Sequence, residues 1–475
     1  MTKEFVKGDK TYYLKALSEL TPRDEGKDNI LLQGIVLGNS EIEHYSTFIV
    51  MACSQCKDEI QFKVEDYNDW RDMKTCKNCE RCNIPIYEKQ NDKEQLKKIL
   101  ISEQGKTNPI NITAFVYGEN IHAIQPGIRI NMGGIMRSRK SKPSDLTYKR
   151  FFDINNFRLT DEKPLLPTPD EIQKFKEMDK SLLVSSFAPH IRGMNLIKEG
   201  LLLCAIGGVE HENVRGGINS LLIGDPGCAK TQLLKELTKI IHKSDYVSGR
   251  SASGAGLFGG VDNLSDGTRV GKAGSVTMCN GGLACIDEME KMNSQDRVYC
   301  HEIMESQKFS LRKIGIDITW EVKVAIIGAA NPKQSRYNPA LSIKENINLQ
   351  DSLLSRFGLI FLVRDVPEKN EDLAIAEHIK RVRQGKINGI LETETLTKFI
   401  NYAKLQKPVE LDEAGDIITE WWSNLRQVSQ KEESLQVDIR TLEDLHRLAE
   451  AYAKMDLSET VTANHARKAI KMLND

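Results

Sequence analysis

The feature that most constrains this chain is GDPGCAKT, Gly224–Thr231. The apolar run Leu221–Ile223 leads into it, and Gln232–Ile241 leads out with Leu233, Leu237 and Ile240 on one face. A strand, a glycine-bearing loop and a helix in that order make a phosphate-binding loop. Successive backbone N–H groups wrap an anion, and the helix N-terminus adds the positive end of its dipole. Gly224, Asp225, Pro226, Gly227, Cys228, Ala229, Lys230, Thr231 and Gln232 are therefore the expected nucleotide cradle. Lys230 is placed to reach the β- and γ-phosphates of ATP, and the Thr231 hydroxyl to ligate Mg2+. The general pattern has glycine before the lysine; Ala229 stands there, which an α-like conformation at a helix start permits.

Three more motifs follow in order. LACIDEMEK, Leu283–Lys291, is a buried strand ending in an acidic pair, and such an end lies beside the nucleotide crevice of a parallel sheet. Asp287 would hold the Mg2+ shell and Glu288 would act on the attacking water as general base. VAIIGAANP ends a strand with Asn331, suited to orienting that water or sensing the γ-phosphate. LLSRFGLIF places Arg356 just before another strand, where a guanidinium would serve a neighbouring subunit's nucleotide. In isolation each residue has a plainer reading: a strand end, a strand cap, a surface ion pair.

At 475 residues the chain is too long for one ordinary core, and the length suggests about three domains. Residues 1–160 carry short β-like runs at Ile30–Leu37, Thr47–Ala52, Ile110–Tyr117, Gly127–Ile135 and Phe151–Phe157, the pattern of a small barrel. A Pro-rich charged linker spans 161–171. Helical stretches then alternate with apolar strands over 172–366, the signature of a parallel α/β sheet. Residues 367–475 read as a helical lid. The 66 basic and 67 acidic residues leave a net charge of −1, so nucleic acid must be met by local patches. GGIMRSRKSKPSDLTYKRFF supplies one: Arg137, Arg139, Lys140 and Lys142 surround a Pro-containing turn between strand-like runs. This reads as a basic hairpin on an OB-type barrel, a fold suited to single-stranded nucleic acid. The N-terminus lacks the apolar core of a secretory signal, and no run approaches the ~20 apolar residues of a membrane span. The expectation is an intracellular protein with no membrane partner.

Five of the ten cysteines lie between Cys53 and Cys82. Cys53-x2-Cys56 and Cys76-x2-Cys79, with 19 residues between the pairs, fit a zinc ribbon. Cys79-x2-Cys82 competes, because Asn83 tolerates a left-handed turn. The favoured ligands are Cys53, Cys56, Cys79 and Cys82, with Cys76 as the alternative. Four thiolates leave Zn2+ no open position, so its role would be structural. An iron–sulfur cluster is the lesser alternative, and a redox dithiol lesser still.

The ordered set GDPGCAKT, ACIDEMEKM, AANP, LLSRFGLIF and VDIRTLEDL resembles the minichromosome maintenance (MCM) family of AAA+ replicative DNA helicases. The resemblance runs from about Ile30 to the C-terminus and is densest between Ser186 and Pro367. It implies an OB-type barrel with a zinc ribbon, an AAA+ P-loop ATPase with a helical lid, and a hexameric ring with ATP at subunit interfaces. One subunit would supply Lys230, Thr231, Asp287, Glu288 and Asn331, and its neighbour Arg356 and Arg440 (in VDIRTLEDL). FSLRKIGIDITWEVKV looks like the family's pre-sensor hairpin, with Lys313 at a tip that would grip DNA phosphates without reading sequence. Ser251–Ser275 looks like its inserted hairpin. The family's leading helical subdomain and its winged-helix tail have no counterpart within these residues, and the expectation is a compact form. The implied function is ATP-dependent DNA unwinding during replication. The competing readings are an AAA+ ATPase remodelling a protein partner and a ring subunit without catalysis.

Overall fold

In the computed structural model the described residues are 4–7, 10–15, 30–63, 76, 86–103, 110–140, 148–160, 164–212, 214–251, 253–264, 268–334, 336–386, 390–429 and 438–474. They divide into two compact units. The first is Met1–Asp161 with Gly260–Ala273 and Ser310–Ile318; the second is Glu162–Gly259, Gly274–Phe309 and Thr319–Asp475.

The first unit contains β1 (Glu4–Lys7), β2 (Lys10–Lys15), β3 (Ile30–Cys53), β4 (Glu59–Lys63), β5 (Ile86–Ser102), β6 (Asn111–Tyr117), β7 (Arg129–Lys140) and β8 (Tyr148–Leu159). Strands β3, β5, β6, β8 and β7 pair in that order, and β7 returns to β3, so the sheet closes. All these pairings are antiparallel except β6 with β8. This is the five-stranded OB-type barrel expected. Ile30, Leu32, Val36, Ile99, Ile101, Ile130, Met132 and Phe152 fill it. Each such buried side chain contributes about 1.5–3 kcal/mol over its exposed state.

Two readings of the barrel are corrected. The runs Ile30–Leu37 and Thr47–Ala52 belong to one strand of 24 residues, β3, whose register shifts at Val36/Gly38 and Asn39/Ile42 absorb the polar interruption as bulges. The 17-residue β5 had no place among the expected strands, because IYEKQNDKEQ carries no alternating apolar pattern; among its described side chains the apolar ones that reach a core are Leu96, Ile99, Leu100 and Ile101, all from its second half.

The second unit runs α1 (Pro169–Glu177), α2 (Ser181–Ser186), α3 (Asn195–Ile206), β9 (Ser220–Gly224), α4 (Lys230–Ile240), β10 (Ser244–Ser248) and α5 (Gly254–Leu257). The inserted hairpin β11 (Gly259–Asn263) and β12 (Arg269–Ala273) follows, then α6 (Ser275–Met278), β13 (Leu283–Asp287) and α7 (Ser294–Ser306). A second hairpin, β14 (Lys308–Lys313) and β15 (Ile316–Glu321), precedes β16 (Ala325–Ala330), α8 (Ile343–Asn346), α9 (Asp351–Leu354) and β17 (Leu359–Val363). The chain ends with α10 (Lys369–Arg383), α11 (Thr393–Leu405), β18 (Val409–Glu410), α12 (Asp412–Ser429), α13 (Ile439–Met455), β19 (Thr460–Val461) and α14 (Ala463–Asn474). Helix α1 starts inside the stretch read as linker. Thr168 and Glu171 form a capping box around Pro169 at the first helical position, so the first turn is satisfied locally.

Strands β10, β13, β16, β9 and β17 lie in that order in one parallel sheet. All residues of β9, β13 and β16 are buried, which is why they read as continuous apolar runs. Leu201–Ile206 of α3, buried on every side, joins this sheet to Phe399 and Ile400 of α11 and Leu445, Leu448 and Tyr452 of α13 in one core. The lid is therefore fastened to the sheet through α3. Among the described residues no helix is long and apolar enough to cross a membrane.

The inserted hairpin belongs to the first unit: β12 pairs antiparallel with β3, Gly271 opposite Asn39 and Lys272 opposite Gly38. A Cβ on Gly38 would fall 2.1 Å from the Gly271 carbonyl oxygen, so the approach requires glycine.

Candidate nucleotide site

Every cradle residue sits where β9 ends and α4 begins. A Cβ on Gly224 would meet the Val363 carbonyl oxygen at 2.0 Å, so glycine lets β17 lie against the loop's root. Asp225 turns its carboxylate away from the loop's mouth. It accepts the Tyr337 N–H at 2.7 Å and the Asp365 N–H at 3.1 Å, tying the segments after β16 and β17 to the loop. Pro226 and Gly227 are exposed, Cys228 is half-buried, and Thr231 and Gln232 start α4 on its open side. Ala229 corrects an expectation: its φ of 55° is left-handed, not the ordinary α of a helix start. That conformation costs a non-glycine residue on the order of 1–2 kcal/mol.

Lys230 is buried, and its Nζ donates to the Gly224 and Asp225 carbonyls at 2.7 and 2.8 Å. Burial pulls its pKa below the ordinary lysine value, while Cys228, Asp287 and Glu290 act the other way. The Thr231 hydroxyl donates to Asp287 Oδ2 at 2.6 Å. Tyr246 of β10 donates its hydroxyl to the same oxygen at 2.9 Å, and burial with that bond pushes the phenol up to about 12. Glu288, also left-handed with φ 53°, accepts from Ser248 Oγ at 3.1 Å and pairs with Lys291. Lys291 holds its carboxyl below the usual glutamate range, so Glu288 is ionised. Asn331 Nδ2 donates to Glu290 Oε1 at 3.1 Å, so its immediate carboxylate partner is Glu290, not Glu288.

Sequence reasoning did not find Tyr246, Ser248 and Glu290. The β10–β13 register sets Tyr246 beside Cys285 and Ser248 beside Asp287, a neighbourhood no contiguous motif records. The donor set suits a hard divalent cation, since Thr231 and Asp287 bring two oxygens together at the loop.

Arg356 and Arg440 lie elsewhere. Arg356 precedes the N-terminal end of β17, where Leu359 pairs with Ser220, the first residue of β9. The phosphate loop follows the last residue of β9. A five-residue strand separates the two edges by roughly 15 Å. Arg356 is 5% exposed and its Nη2 meets Glu305 Oε2 at 2.8 Å. Burial and the neighbouring Arg440 both lower its pKa. Arg440, on the first turn of α13, donates to Ser355 Oγ at 3.3 Å. Together with Arg215, Arg447 and Lys323 they line a cleft of about 620 Å3.

In the first unit, the sulfurs of Cys53, Cys56 and Cys76 lie within 4.8 Å of one another, with Cys56 and Cys76 at 3.7 Å. Cys76, the alternative ligand, is thus grouped with the first pair; Cys79 and Cys82 lie outside the described residues. Backbone N–H groups of Cys56 and Gln55 lower the Cys53 thiol to about 7, favouring the thiolate a metal takes. Lys313 ends β14 on an exposed tip, followed by Ile314 and Gly315 at φ 52° and 81°. Arg137 is committed to Asp153, Nε to Oδ2 at 2.7 Å, which weakens its claim as a phosphate contact. The backbone of Arg139 and Lys140 lies in β7, opposite Lys149 and Tyr148; Lys142 lies outside the described residues.

Comparison with known proteins bears on this arrangement. A family model described as the MCM P-loop domain matches residues 169–383, and one for the MCM AAA-lid domain matches 394–475. The minichromosome maintenance protein MCM of Saccharolobus solfataricus is 34% identical over 387 residues, 77% of this chain and 56% of that protein. The DNA replication licensing factor MCM6 of Oryza sativa subsp. indica is 34% identical over 382 residues, 73% of this chain and 46% of that protein. The DNA replication licensing factor mcm7-B of Xenopus laevis is 28% identical over 476 residues, 93% of this chain and 66% of that protein. The chain spans about half to two thirds of the length of these relatives. The two models account for nearly all of the second unit and the longest match extends through the barrel: the chain belongs to the minichromosome maintenance (MCM) family.

Proposed function

We propose that this chain is a subunit of an ATP-hydrolysing ring, a hexamer, that translocates on DNA and unwinds it during replication. One observation carries the reading. The phosphate loop and its acidic pair lie at the C-terminal edge of the parallel sheet, and Arg356 and Arg440 lie at the other edge. Neither arginine can serve its own chain's nucleotide across the sheet. Copies stacked head to tail would bring the edges together, and head-to-tail contacts that close make rings.

In that assembly Lys230 neutralises phosphate charge at the loop, and Thr231 and Asp287 would hold Mg2+, which would spread charge over the phosphate oxygens. Glu288 takes the proton of the attacking water as the new P–O bond forms and the β–γ bridge breaks, leaving ADP and phosphate. Asn331 helps orient that water. Arg356 and Arg440 of the neighbouring copy stabilise the charge that develops. Cys53, Cys56 and Cys76, with one further thiolate from Cys79 or Cys82, would hold a structural Zn2+. Lys313 and the β7–β8 hairpin, with Arg139, Lys140 and Lys142, would meet the DNA backbone.

The test is steady-state ATP hydrolysis with and without single-stranded DNA, beside Glu288→Gln. The expected outcome is hydrolysis accelerated by DNA and lowered about 10^3-fold by the substitution, comparable to losing one aligned transition-state group. Hydrolysis indifferent to DNA across a range of salt would favour a protein-remodelling ATPase. No hydrolysis under ring-forming conditions would favour a ring subunit without catalysis of its own.

A further inference from the structure

Two guanidinium groups at the N-terminal sheet edge share one carboxylate. Glu305, near the end of α7, gives Oε2 to Arg356 Nη2 at 2.8 Å and turns Oε1 toward Arg440 Nη2 at 3.8 Å. Arg356 is 5% exposed, and its buried Nε has no hydrogen-bond partner. Of the other acidic groups nearby, Asp444 and Glu443 hold Arg447, while Asp438 accepts the Thr441 N–H at 3.2 Å to cap α13 and lies 3.9 Å from Arg440 Nη1. Among the described residues Glu305 is thus the one carboxylate in an ion pair with Arg356. It is half-exposed on the cleft, whereas Arg356 is fixed.

Like charges held side by side in a partly dry site require an anion between them. A carboxylate meeting one guanidinium on each oxygen occupies the place that two oxygens of a phosphoryl group would take. We propose that Glu305 is a positioning residue, the resident counter-ion of Arg356 and Arg440, which a nucleotide phosphate presented by a second copy must displace. The inference rests on the reading above that these arginines act on a neighbour's nucleotide. Glu305 keeps both guanidinium groups turned to the cleft while no phosphate is offered. It also competes with that phosphate, so the apparent affinity for ATP is reduced by the fraction of sites in which the pair stays closed.

The experiment is hydrolysis by the assembled full chain over a wide ATP range, for wild type, Glu305→Gln, Glu305→Asp and Arg356→Lys. Glu305→Gln removes the competing charge and keeps the side chain's size. It is expected to lower KM for ATP roughly threefold to tenfold, a larger change than in kcat, as suits loss of one half-exposed ion pair. Glu305→Asp keeps the charge and should return KM toward wild type. Arg356→Lys, which keeps a cation without the planar fork, should reduce kcat. If Arg356→Lys impairs hydrolysis while Glu305→Gln leaves KM unmoved or raises it, the counter-ion role is overturned and the trans-acting arginine stands. If Arg356→Lys leaves hydrolysis untouched, the reading beneath it falls and the proposal falls with it. Melting temperatures of the variants separate these outcomes from loss of fold; Glu305 is exposed enough that its variants should melt with wild type.

Discussion

The two edges of the parallel sheet are built on opposite electrostatic plans. At the C-terminal edge the carboxylates have internal partners: Asp287 takes the hydroxyls of Thr231 and Tyr246, and Glu288 takes Ser248 and Lys291. Lys230 is held on two carbonyls of its own loop. Strain is stored there too, in the left-handed Ala229 and Glu288. At the N-terminal edge the arginines are held by carboxylates that they share or that lie exposed on a cleft. Arg356 keeps a buried Nε without a partner, and Glu305 serves two arginines. A few residues along, Lys454 is 4% exposed with its Nζ on the Gly208 carbonyl at 2.6 Å. One edge gathers carboxylates and a lysine around a phosphate loop; the other gathers arginines around a half-exposed carboxylate of their own chain. The proposed sharing of one nucleotide between neighbouring copies requires such a difference.

The sharpest way to break that comparison is Arg356→Ala mixed with Glu288→Gln. Each variant alone should lose hydrolysis by about 10^2–10^3-fold, as expected for a removed arginine finger or base. Mixed, they should regain a part of it. An interface between the intact loop of one variant and the intact arginine of the other has every group. Retained activity in Arg356→Ala alone, or no recovery on mixing, would show that both edges do not serve one nucleotide. Rates at varied mixing ratios provide the measurement.

The second prediction concerns the cost of the cationic edge. Lys454 lines a cleft of about 560 Å3 with Gly281, Gly282 and Ala325, where β13 and β16 begin. Burial lowers its pKa to about 8, and Lys404 beside it is lowered to about 8 for the same reason. Because the folded values lie below the unfolded one, the unfolded chain binds more protons between pH 8 and the ordinary lysine range. Stability therefore rises with pH across that window and is lost as pH falls toward 8. Lys454→Met should remove about 2 kcal/mol of that slope and leave most of the share of Lys404, which burial lowers first and the Lys454 charge second. Denaturant midpoints at pH 8 and pH 10 measure it. An unchanged slope would mean that this edge bears its charge without penalty.

Much of the C-terminal edge was legible in the sequence because each of its parts is a contiguous motif at a strand end. Gly224–Thr231, Asp287-Glu288 and Asn331 need only neighbouring residues to be recognised. The barrel was legible in its apolar strands but not in β5, whose first half carries charge where a core strand would alternate. What stayed hidden depends on register between distant segments. Tyr246 and Ser248 reach the acidic pair because β10 lies against β13, and Glu305 reaches Arg356 across 51 residues of chain. Arg440 was named by resemblance alone, since nothing in VDIRTLEDL itself places it beside Arg356. The grouping of the Gly260–Ala273 hairpin with the barrel was equally unreadable, because it rests on Gly38 admitting a neighbouring backbone.

The smallest effect tests whether the strain at the C-terminal edge belongs to the loop or to its neighbours. Ala229 holds φ 55° where the general motif has glycine, and its left-handed backbone is followed directly by Lys230. Ala229→Gly removes the clash between Cβ and the following carbonyl, while glycine raises the entropy of the unfolded chain. The first term is about 1–2 kcal/mol and the second about 0.5–1 kcal/mol, so a net gain near 0.5 kcal/mol in unfolding free energy is expected. If the loop alone sets that φ, ATP turnover should stay within about twofold, since the N–H groups that wrap the phosphates keep their directions. A loss of stability instead would mean that the methyl group's contacts with its half-buried surroundings outweigh the strain. Ala229 would then be a packing residue that the phosphate loop has accommodated, and Glu288 would remain as the strained position at this edge.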